Sequence, residues 1–210
     1  MASYYRIRQG DHVPRIATAF GFTGHNGIWN HPNNADLKNA RQTPHVLLPG
    51  DKLFIPDRET REEPRPTDKR HQFVSHRDSL MLLIALQDND FEPISGANCQ
   101  LRVESDTVTR ATDSSGLLQK PIKSTDANGS LVVSLIQVAF RIGDLDPVEY
   151  ITGQQARLNN LGYAAGSVEA KLYSDQMRSA VEEFQCDHNL PVDGICGRAT
   201  QDKLKEIHGC

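Results

Sequence analysis

Residues 177–200, "MRSAVEEFQCDHNLPVDGICGRAT", join a helical pattern to a turn-rich segment. Four apolar residues recur at i, i+3, i+4 and i+7, which places them on one face of an α-helix: Met177, Ala180, Val181 and Phe184. The following "LPVDGICG" predicts a connection, because Gly and Pro favour turns. "RATQDKLKEIH" at 198–208 predicts a further short helix with Leu204 and Ile207 facing inward. Together these patterns predict two helices of a small bundle.

The residues before this stretch predict the remaining helix. Asp146, Pro147 and Glu149 of "DPVE" have the order of an N-cap, a first helical residue and a capping-box glutamate. The predicted helix that follows carries three apolar residues on one face: Ile151, Leu158 and Leu161. Residues 145–210 are therefore predicted to form a three-helix domain.

The first 57 residues have a mixed pattern. "SYYRIR" and "DKLFIP" predict short strands at the two ends of this segment. "NNADLKNAR" predicts one helix between them, and four residues at helical spacing predict another: Val13, Ile16, Ala17 and Phe20. Residues 1–57 are predicted to be a βααβ domain.

Two segments connect these domains. Residues 58–72 are charged and contain prolines but almost no apolar side chain, so they predict a solvated linker. Residues 73–144 contain β-rich runs separated by turn sequences such as "TDSSG" and "DANG". They predict a small antiparallel β-sandwich. The expected fold class is multidomain α+β.

Composition agrees with several small cores and excludes some functions. Hydrophobic residues make up 38% of the 210 residues and aromatic residues 6%, which fits three small domains better than one large core. The net charge is -4 and the pI is about 6.0, so no basic field exists to bind nucleic acid. No segment has the length of a membrane span, and the first residues lack the apolar region of a signal peptide.

Asp11 and His12 allow two interpretations. They could belong to a catalytic or metal site, but the sequence offers no nucleophile or third group to complete one. Alternatively, Gly10 and Asp11 form a turn, with a side-chain oxygen near the first N–H groups of the following helix. We favour the turn because capping accounts for every residue of "GDHVP".

The first segment resembles a LysM domain, a peptidoglycan- and chitin-binding module. "YRIRQGD", "RIATAFG" and "LLPGDKLFIP" carry the resemblance, although His12-Val13 replaces the commoner Thr-Leu and the middle is extended. A similar long form occurs in LysM proteins encoded beside contractile injection machinery such as type VI secretion spikes. The resemblance implies a shallow saccharide groove formed by two loops, and the matching residues are Gly10, Asp11, His12 and Val13 facing Pro44, His45, Val46 and Leu47.

The third segment resembles the helical peptidoglycan-binding domain of wall hydrolases. "QQARLNNLGY", "AVEEFQCDHNLPVDG" and "GRAT" carry this resemblance. It implies that Tyr163, Phe184 and Asp193 contribute to peptidoglycan binding, although for Tyr163 we slightly favour a role in filling the bundle. The middle segment is similar, through "DNDFEPISGANCQL" and "ATDSSG", to carboxypeptidase-regulatory or transthyretin-like β domains.

Cysteine and histidine residues raise the possibility of a metal. Five potential ligands lie near the C-terminus: Cys186, His188, Cys196, His208 and Cys210. Residues at i and i+2 do not share a helix face, and the C-terminal pair lies where fraying is expected. We expect no metal, no cofactor and free thiols, with a Cys186–Cys196 disulfide as the alternative in an oxidising compartment. Trp29 is expected in the core rather than on a sugar.

We expect a non-catalytic bacterial protein that binds peptidoglycan glycan strands through two modules. The chain would be made in the cytoplasm without a signal peptide and act at the periplasm or cell wall, delivered by a contractile injection system. Two other classes stay open: an adaptor for spike or effector proteins whose LysM segment binds protein, and a zinc-dependent wall hydrolase.

Overall fold

The computed structural model describes residues 2–58, 64–72 and 80–209. The chain forms two compact units, one of Met1–His45 with Lys52–Asp144 and the other of Val46–Asp51 with Leu145–Cys210. Part of the predicted linker (59–63) and the start of the predicted β-domain (73–79) lie outside the described residues. Antiparallel sheets and helices both occur, so the mixed fold class is observed.

The N-terminal part of the first unit has the predicted strand–helix–helix–strand order with one added short helix. Strands β1 (Ser3–Arg6) and β2 (Lys52–Ile55) pair antiparallel, with Tyr4 opposite Phe54. The connection contains three helices, the last preceded by a 3₁₀ turn at Pro32–Asn34: α1 (Val13–Ala19), α2 (Asn26–Trp29) and α3 (Ala35–Arg41).

The core of this part follows the predicted helical spacing. Val13, Ile16 and Ala17 are buried, but Phe20, the fourth residue of the predicted stripe, follows the end of α1 and is 37% exposed. Trp29 is only 5% exposed, which confirms its core position. The buried side chain of Asn34 ties α2 to β2. Its Nδ2 donates to the carbonyls of Ile28 (2.8 Å) and Phe54 (2.9 Å), and its Oδ1 accepts from the Phe54 N–H (2.7 Å).

The rest of the first unit is built from small antiparallel sheets. Strands β3 and β6 form a two-stranded sheet, and the other strands form a four-stranded sheet in the order β5-β4-β7-β8. Side chains of both sheets share one apolar core that includes Leu101, Leu118 and Leu131. The strand bounds are β3 Leu80–Ala85, β4 Asn98–Val103, β5 Asp106–Ala111, β6 Leu117–Ile122, β7 Asn128–Val133 and β8 Ile136–Arg141.

The second unit contains the three predicted helices: α4 (Ile151–Asn160), α5 (Asp175–Asp187) and α6 (Arg198–His208). The predicted stripe on α5 is confirmed, because Met177, Val181 and Phe184 have no exposed surface. Ile207 was expected to face inward, but it is 41% exposed. It lies one turn beyond the buried Leu204, in the last turn of α6, and is not part of the core cluster.

The predicted start of α4 is wrong. The helix begins at Ile151, and its N-cap is Tyr150 rather than Asp146. Residues 146–150 instead run as a turn alongside α4, because the Asp146 carbonyl accepts from the buried Arg157 guanidinium (2.9 Å). A Cβ at Gly153 would lie 2.2 Å from the Pro147 carbonyl oxygen, so only glycine allows this approach.

Among the helices of residues 2–58, 64–72 and 80–209, none combines the length and apolar character needed to cross a membrane.

Candidate functional site

An open cleft of about 390 Å³ lies in the second unit, between the start of α5 and the loop that joins α5 to α6. One wall is the segment entering α5 and its first turn, and the other is the loop backbone. The lining residues are Tyr173, Ser174, Asp175, Arg178, Gly194 and Ile195.

The first wall is fixed by the N-cap of α5. The Ser174 hydroxyl accepts a hydrogen bond from the Met177 N–H (3.2 Å), and Asp175 lies in the first turn. Serine at this position satisfies one of the unpaired N–H groups of a helix start, and a carboxylate there is favoured by the helix dipole. The polar part of the cleft is therefore held rigidly by the helix itself.

The second wall is held by a single buried amide, Gln185 of α5. Its Oε1 accepts from the N–H groups of Asp193 and Gly194, both at 3.0 Å. Its Nε2 donates to the Asp193 carboxylate (2.8 Å), the Ile195 carbonyl (3.0 Å) and the Thr200 hydroxyl (3.1 Å). Because these groups are paired from beneath, the loop backbone keeps its shape while the side chains of Asp193 and Ile195 remain exposed.

Tyr173 connects the two walls. Its hydroxyl donates to the Gly194 carbonyl (2.5 Å), and burial is the main cause that raises its pKa above 10.0. The residue before it, Leu172, offers its carbonyl to the buried Gln155 of α4 (3.4 Å), which also donates to the Ala165 carbonyl (3.1 Å). A second buried glutamine thus supports the wall that carries Tyr173.

Gly194 is required by the turn. Its φ of +67° lies in the left-handed region, and a Cβ there would lie 2.7 Å from a Glu182 carboxylate oxygen and 2.8 Å from Cγ of Arg178. The Asp-Gly sequence therefore gives both the turn and the space in which Arg178 lies.

The cleft combines apolar, polar and charged surface. Tyr173 and Ile195 are exposed apolar side chains, and Arg178 and Asp175 contribute one charge of each sign. An aromatic or aliphatic surface beside a few polar groups suits an uncharged, hydroxyl- and amide-bearing ligand, and the guanidinium can bind a carboxylate.

The three predicted residues of this unit occupy different environments. Asp193 is exposed in the loop, with its carboxylate accepting from Gln185 and from the Ile195 N–H (2.9 Å). Tyr163 and Phe184 are buried with their rings 5.4 Å apart, and the Tyr163 hydroxyl donates to Asp187 (3.0 Å). Their burial means that they shape the bundle, and the ligand-facing surface belongs to other residues.

The two predicted loops of the first segment meet, but their side chains largely turn inward. The Val13 N–H donates to the Pro44 carbonyl (2.9 Å). His12 and Val13 are buried, whereas His45 is exposed and Gly10 and Asp11 are partly exposed. Val46 and Leu47 are also buried, and they belong to the second compact unit. The apolar rim expected for a saccharide is therefore not on the surface.

The Asp11-His12 pair forms a turn and a cap, as favoured, but the cap is His12 rather than an oxygen. Nδ1 of His12 accepts from the Arg15 N–H (3.3 Å). The Asp11 carboxylate instead accepts from the Arg8 N–H (2.9 Å) and the Tyr5 hydroxyl (2.8 Å). Burial, followed by the positive charges of His45 and Arg15, lowers the pKa of His12 from 6.5 to about 4.

Cysteine and histidine do not gather into a ligand set within residues 2–58, 64–72 and 80–209, where no group of three potential metal-binding side chains is found. Cys99, Cys186 and Cys196 are free thiols, and Cys210 lies outside the described residues. Burial raises the pKa of Cys196 to about 12, so this thiol is a core group rather than a nucleophile.

Sequence reasoning missed the residues that hold the cleft. Gln185 lies eight residues after Met177, on the buried face of α5, so its helical position was a usable signal. Gln155 of "QQAR" had no such signal, because its role depends on a segment that approaches α4 only in the folded chain. Tyr173 and Ile195 were likewise not predicted.

One comparison with known proteins matches this region. Residues 153–204 match the model of a family described as "Putative peptidoglycan binding domain". The match includes every residue that lines the cleft, and it supports peptidoglycan binding by this part of the chain. No curated protein and no solved structure matches the chain significantly.

Proposed function

We propose that the protein is a non-catalytic cell-wall binding protein and that the cleft between α5 and the 190–197 loop holds peptidoglycan. The observation that carries this proposal is that all six lining residues fall inside the region matched by the peptidoglycan-binding family.

The chemistry of the cleft suits this ligand. Peptidoglycan presents sugar rings, N-acetyl groups and short peptides that end in carboxylates. The Tyr173 ring and the Ile195 side chain offer apolar surface for a sugar face or an acetyl methyl group. Arg178 is more than half exposed, with its Nε 3.9 Å from Glu182, so its guanidinium is available to a peptide carboxylate.

A second wall-binding module in the first segment is part of the proposal. It rests on the LysM resemblance, together with the observed pairing of β1 with β2 and the contact between the loops at Val13 and Pro44. The surface left for a ligand there is formed by Gly10, Asp11 and His45. Two weak modules on one chain raise the effective concentration of each for the same polymer.

The site of action follows from the ligand. A protein that binds peptidoglycan acts at the cell wall, and the long LysM form supports delivery by a type VI secretion or related injection apparatus. Spike or effector proteins are then partners. An adaptor whose first segment binds such a protein instead of glycan is the competing interpretation for that segment.

The cleft can be tested with insoluble purified peptidoglycan. Ile195→Ala should reduce the fraction of full-length protein that sediments with the polymer about 5-fold, since burying an exposed aliphatic side chain contributes about 1 kcal/mol or more to binding. Val192→Ala is a matched control, because Val192 lies in the same loop and is 58% exposed, as against 59% for Ile195, but does not line the cleft. Equal loss in both variants, or none in either, would rule out this cleft.

A further inference from the structure

Strand β8 (Ile136–Arg141) is an edge strand of the four-stranded sheet, and within residues 2–58, 64–72 and 80–209 no strand pairs with its outer side. It pairs with β7 in a register that places Val138 opposite Leu131, and the following Ile142 N–H donates to the Ala127 carbonyl (2.8 Å). Hydrogen-bonded and non-bonded pairs alternate along an antiparallel ladder. The backbone groups that point away from β7 are therefore those of Gln137, Ala139 and Arg141.

This edge lacks the features that usually prevent strand pairing. Edge strands are commonly protected by proline, charge or a bulge. β8 reads "IQVAFR", with no proline and one charge at its last residue. The opposite edge strand, β5, reads "DTVTRA" and is polar along its exposed length. The edge formed by β8 is therefore mostly apolar, whereas the edge formed by β5 is mostly polar.

The apolar face of the sheet is also exposed to solvent along this edge. Ile136 and Val138 lie opposite Val133 and Leu131 and so project from the same sheet face as those core residues. Yet Ile136 is 68% exposed and Val138 is 53% exposed, and Leu135 at the hairpin tip is fully exposed. The apolar face of the sheets thus continues onto β8, where Ile136 and Val138 are exposed.

We propose that a second copy of this chain pairs its β8 antiparallel with this edge and joins two four-stranded sheets into one. The register follows from the outward-pointing groups. Ala139 meets Ala139 of the other copy on the two-fold axis, and Gln137 meets Arg141. Across the interface, Val138 then lies opposite Phe140 and Ile136 opposite Ile142.

The strand is complementary to itself in this register. Each apolar residue faces an apolar residue, the only charged residue of the strand faces an amide, and the smallest side chain, that of Ala139, lies on the two-fold axis. Aromatic and β-branched cross-strand pairs of this kind are stabilising, and no like charges oppose each other. An unrelated strand would have to match the same pattern.

The test is the molar mass of the full chain as a function of concentration, by sedimentation or light scattering. Wild-type protein should rise from 23.4 kDa toward twice that mass. Ala139→Pro should remain monomeric at concentrations where the wild type is dimeric. Its missing N–H is one that points away from β7, so no hydrogen bond within the chain is lost.

Thr109→Pro is the matched control on the other edge. The Thr112 N–H donates to the Ala97 carbonyl (3.1 Å), and by the same alternation Thr109 points its N–H away from β4. This variant should dimerise like the wild type. Val138→Lys is a second test at an exposed side chain, and it should also weaken dimerisation if Ala139→Pro fails to fold.

Two results would overturn the proposal. One is a wild-type mass that stays at 23.4 kDa up to the highest soluble concentration. The other is an unchanged dimer in folded Ala139→Pro or Val138→Lys, which would place the association on another surface. Peptidoglycan binding is measured separately, so neither result depends on the cleft.

Discussion

Two loops of this protein each contain an aspartate and precede a helix, but the side chains that fix their backbones come from different places. The 190–197 loop is fixed by Gln185, which reaches from α5 and binds the loop backbone. The loop before α1 is fixed by its own side chains, since Asp11 binds the Arg8 N–H and His12 caps the helix. In the loop held by Gln185, Ile195 remains exposed beside the cleft, whereas in the loop before α1 the capping His12 is buried.

The largest effect should come from removing the amide that holds the first of these loops. Gln185→Ala leaves the N–H groups of Asp193 and Gly194 without their partner, along with the buried Thr200 hydroxyl. Buried groups that lose their partners cost about 1–3 kcal/mol each, so we expect a loss of about 4 kcal/mol in the free energy of unfolding of the second unit. Denaturant unfolding and amide hydrogen exchange in the loop would measure it.

Gln176→Ala is the control for this variant, because Gln176 is an exposed glutamine on the same helix. It should change the free energy of unfolding by less than about 0.5 kcal/mol. If the two substitutions have similar effects, the loop is not held by Gln185, and the contrast between the two loops disappears.

The second loop should respond to pH through His12. The pKa of its imidazole is about 4 in the folded chain against an ordinary value of 6.5, so the folded state binds a proton less readily than the unfolded state. The neutral His12 imidazole therefore makes its full contribution to the free energy of unfolding above pH 6.5. This contribution is lost as the pH falls toward 4. The loss at pH 4 should reach about 3 kcal/mol, because each pKa unit corresponds to about 1.4 kcal/mol.

His12→Asn isolates this effect. Asparagine can still cap the helix but does not titrate, and His25, His45, Arg15 and Asp11, the titratable and charged groups around His12, are unchanged in both proteins. His208 also has a pKa lowered to about 4 by burial, and its contribution cancels in the difference. The free energy of unfolding should fall less in His12→Asn than in wild type between pH 7 and pH 4. Parallel pH profiles would contradict the role of His12.

These two loops also show which features of the structure the sequence could predict and which it could not. The periodic apolar residues of α5, such as Met177 and Phe184, determine which helix face is buried, and their burial was correctly predicted. The hydrogen bonds of Gln185, by contrast, depend on where the 190–197 loop lies once the chain is folded. His12 was expected beside a capping oxygen, because serine, threonine, asparagine and aspartate are the usual caps.

The same limit applies to the candidate site. The "DG" of the 190–197 loop predicted a turn, and the structure has one at Gly194, with φ of +67°. The cleft itself needed Tyr173 and Ile195 to approach from separate parts of the chain, and no periodicity relates them. In the first segment, His12 and Val13 of the predicted groove face inward, which their positions in the sequence did not indicate.

The smallest of these effects should come from Gly194→Ala. A left-handed φ costs a non-glycine residue about 1 kcal/mol, and the new methyl group would displace the Arg178 and Glu182 side chains that lie within 3 Å of it. Because these side chains are exposed and flexible, the unit should remain folded, while the position of Arg178 in the cleft changes. We therefore expect a loss of about 1–2 kcal/mol in stability and a larger relative loss in peptidoglycan retention than the stability change alone explains.

Gly197→Ala is the control for Gly194→Ala, because both glycines lie in the same loop. Gly197 has φ of -73°, and its added Cβ would contact nothing within 4 Å. This substitution should leave both stability and peptidoglycan retention close to wild type. If Gly194→Ala lowers stability without lowering retention, the loop backbone is needed for folding alone and the ligand does not enter between it and Arg178. If retention falls and stability does not, the backbone conformation is less restrictive than its φ implies, and the cleft depends on the space beside Arg178.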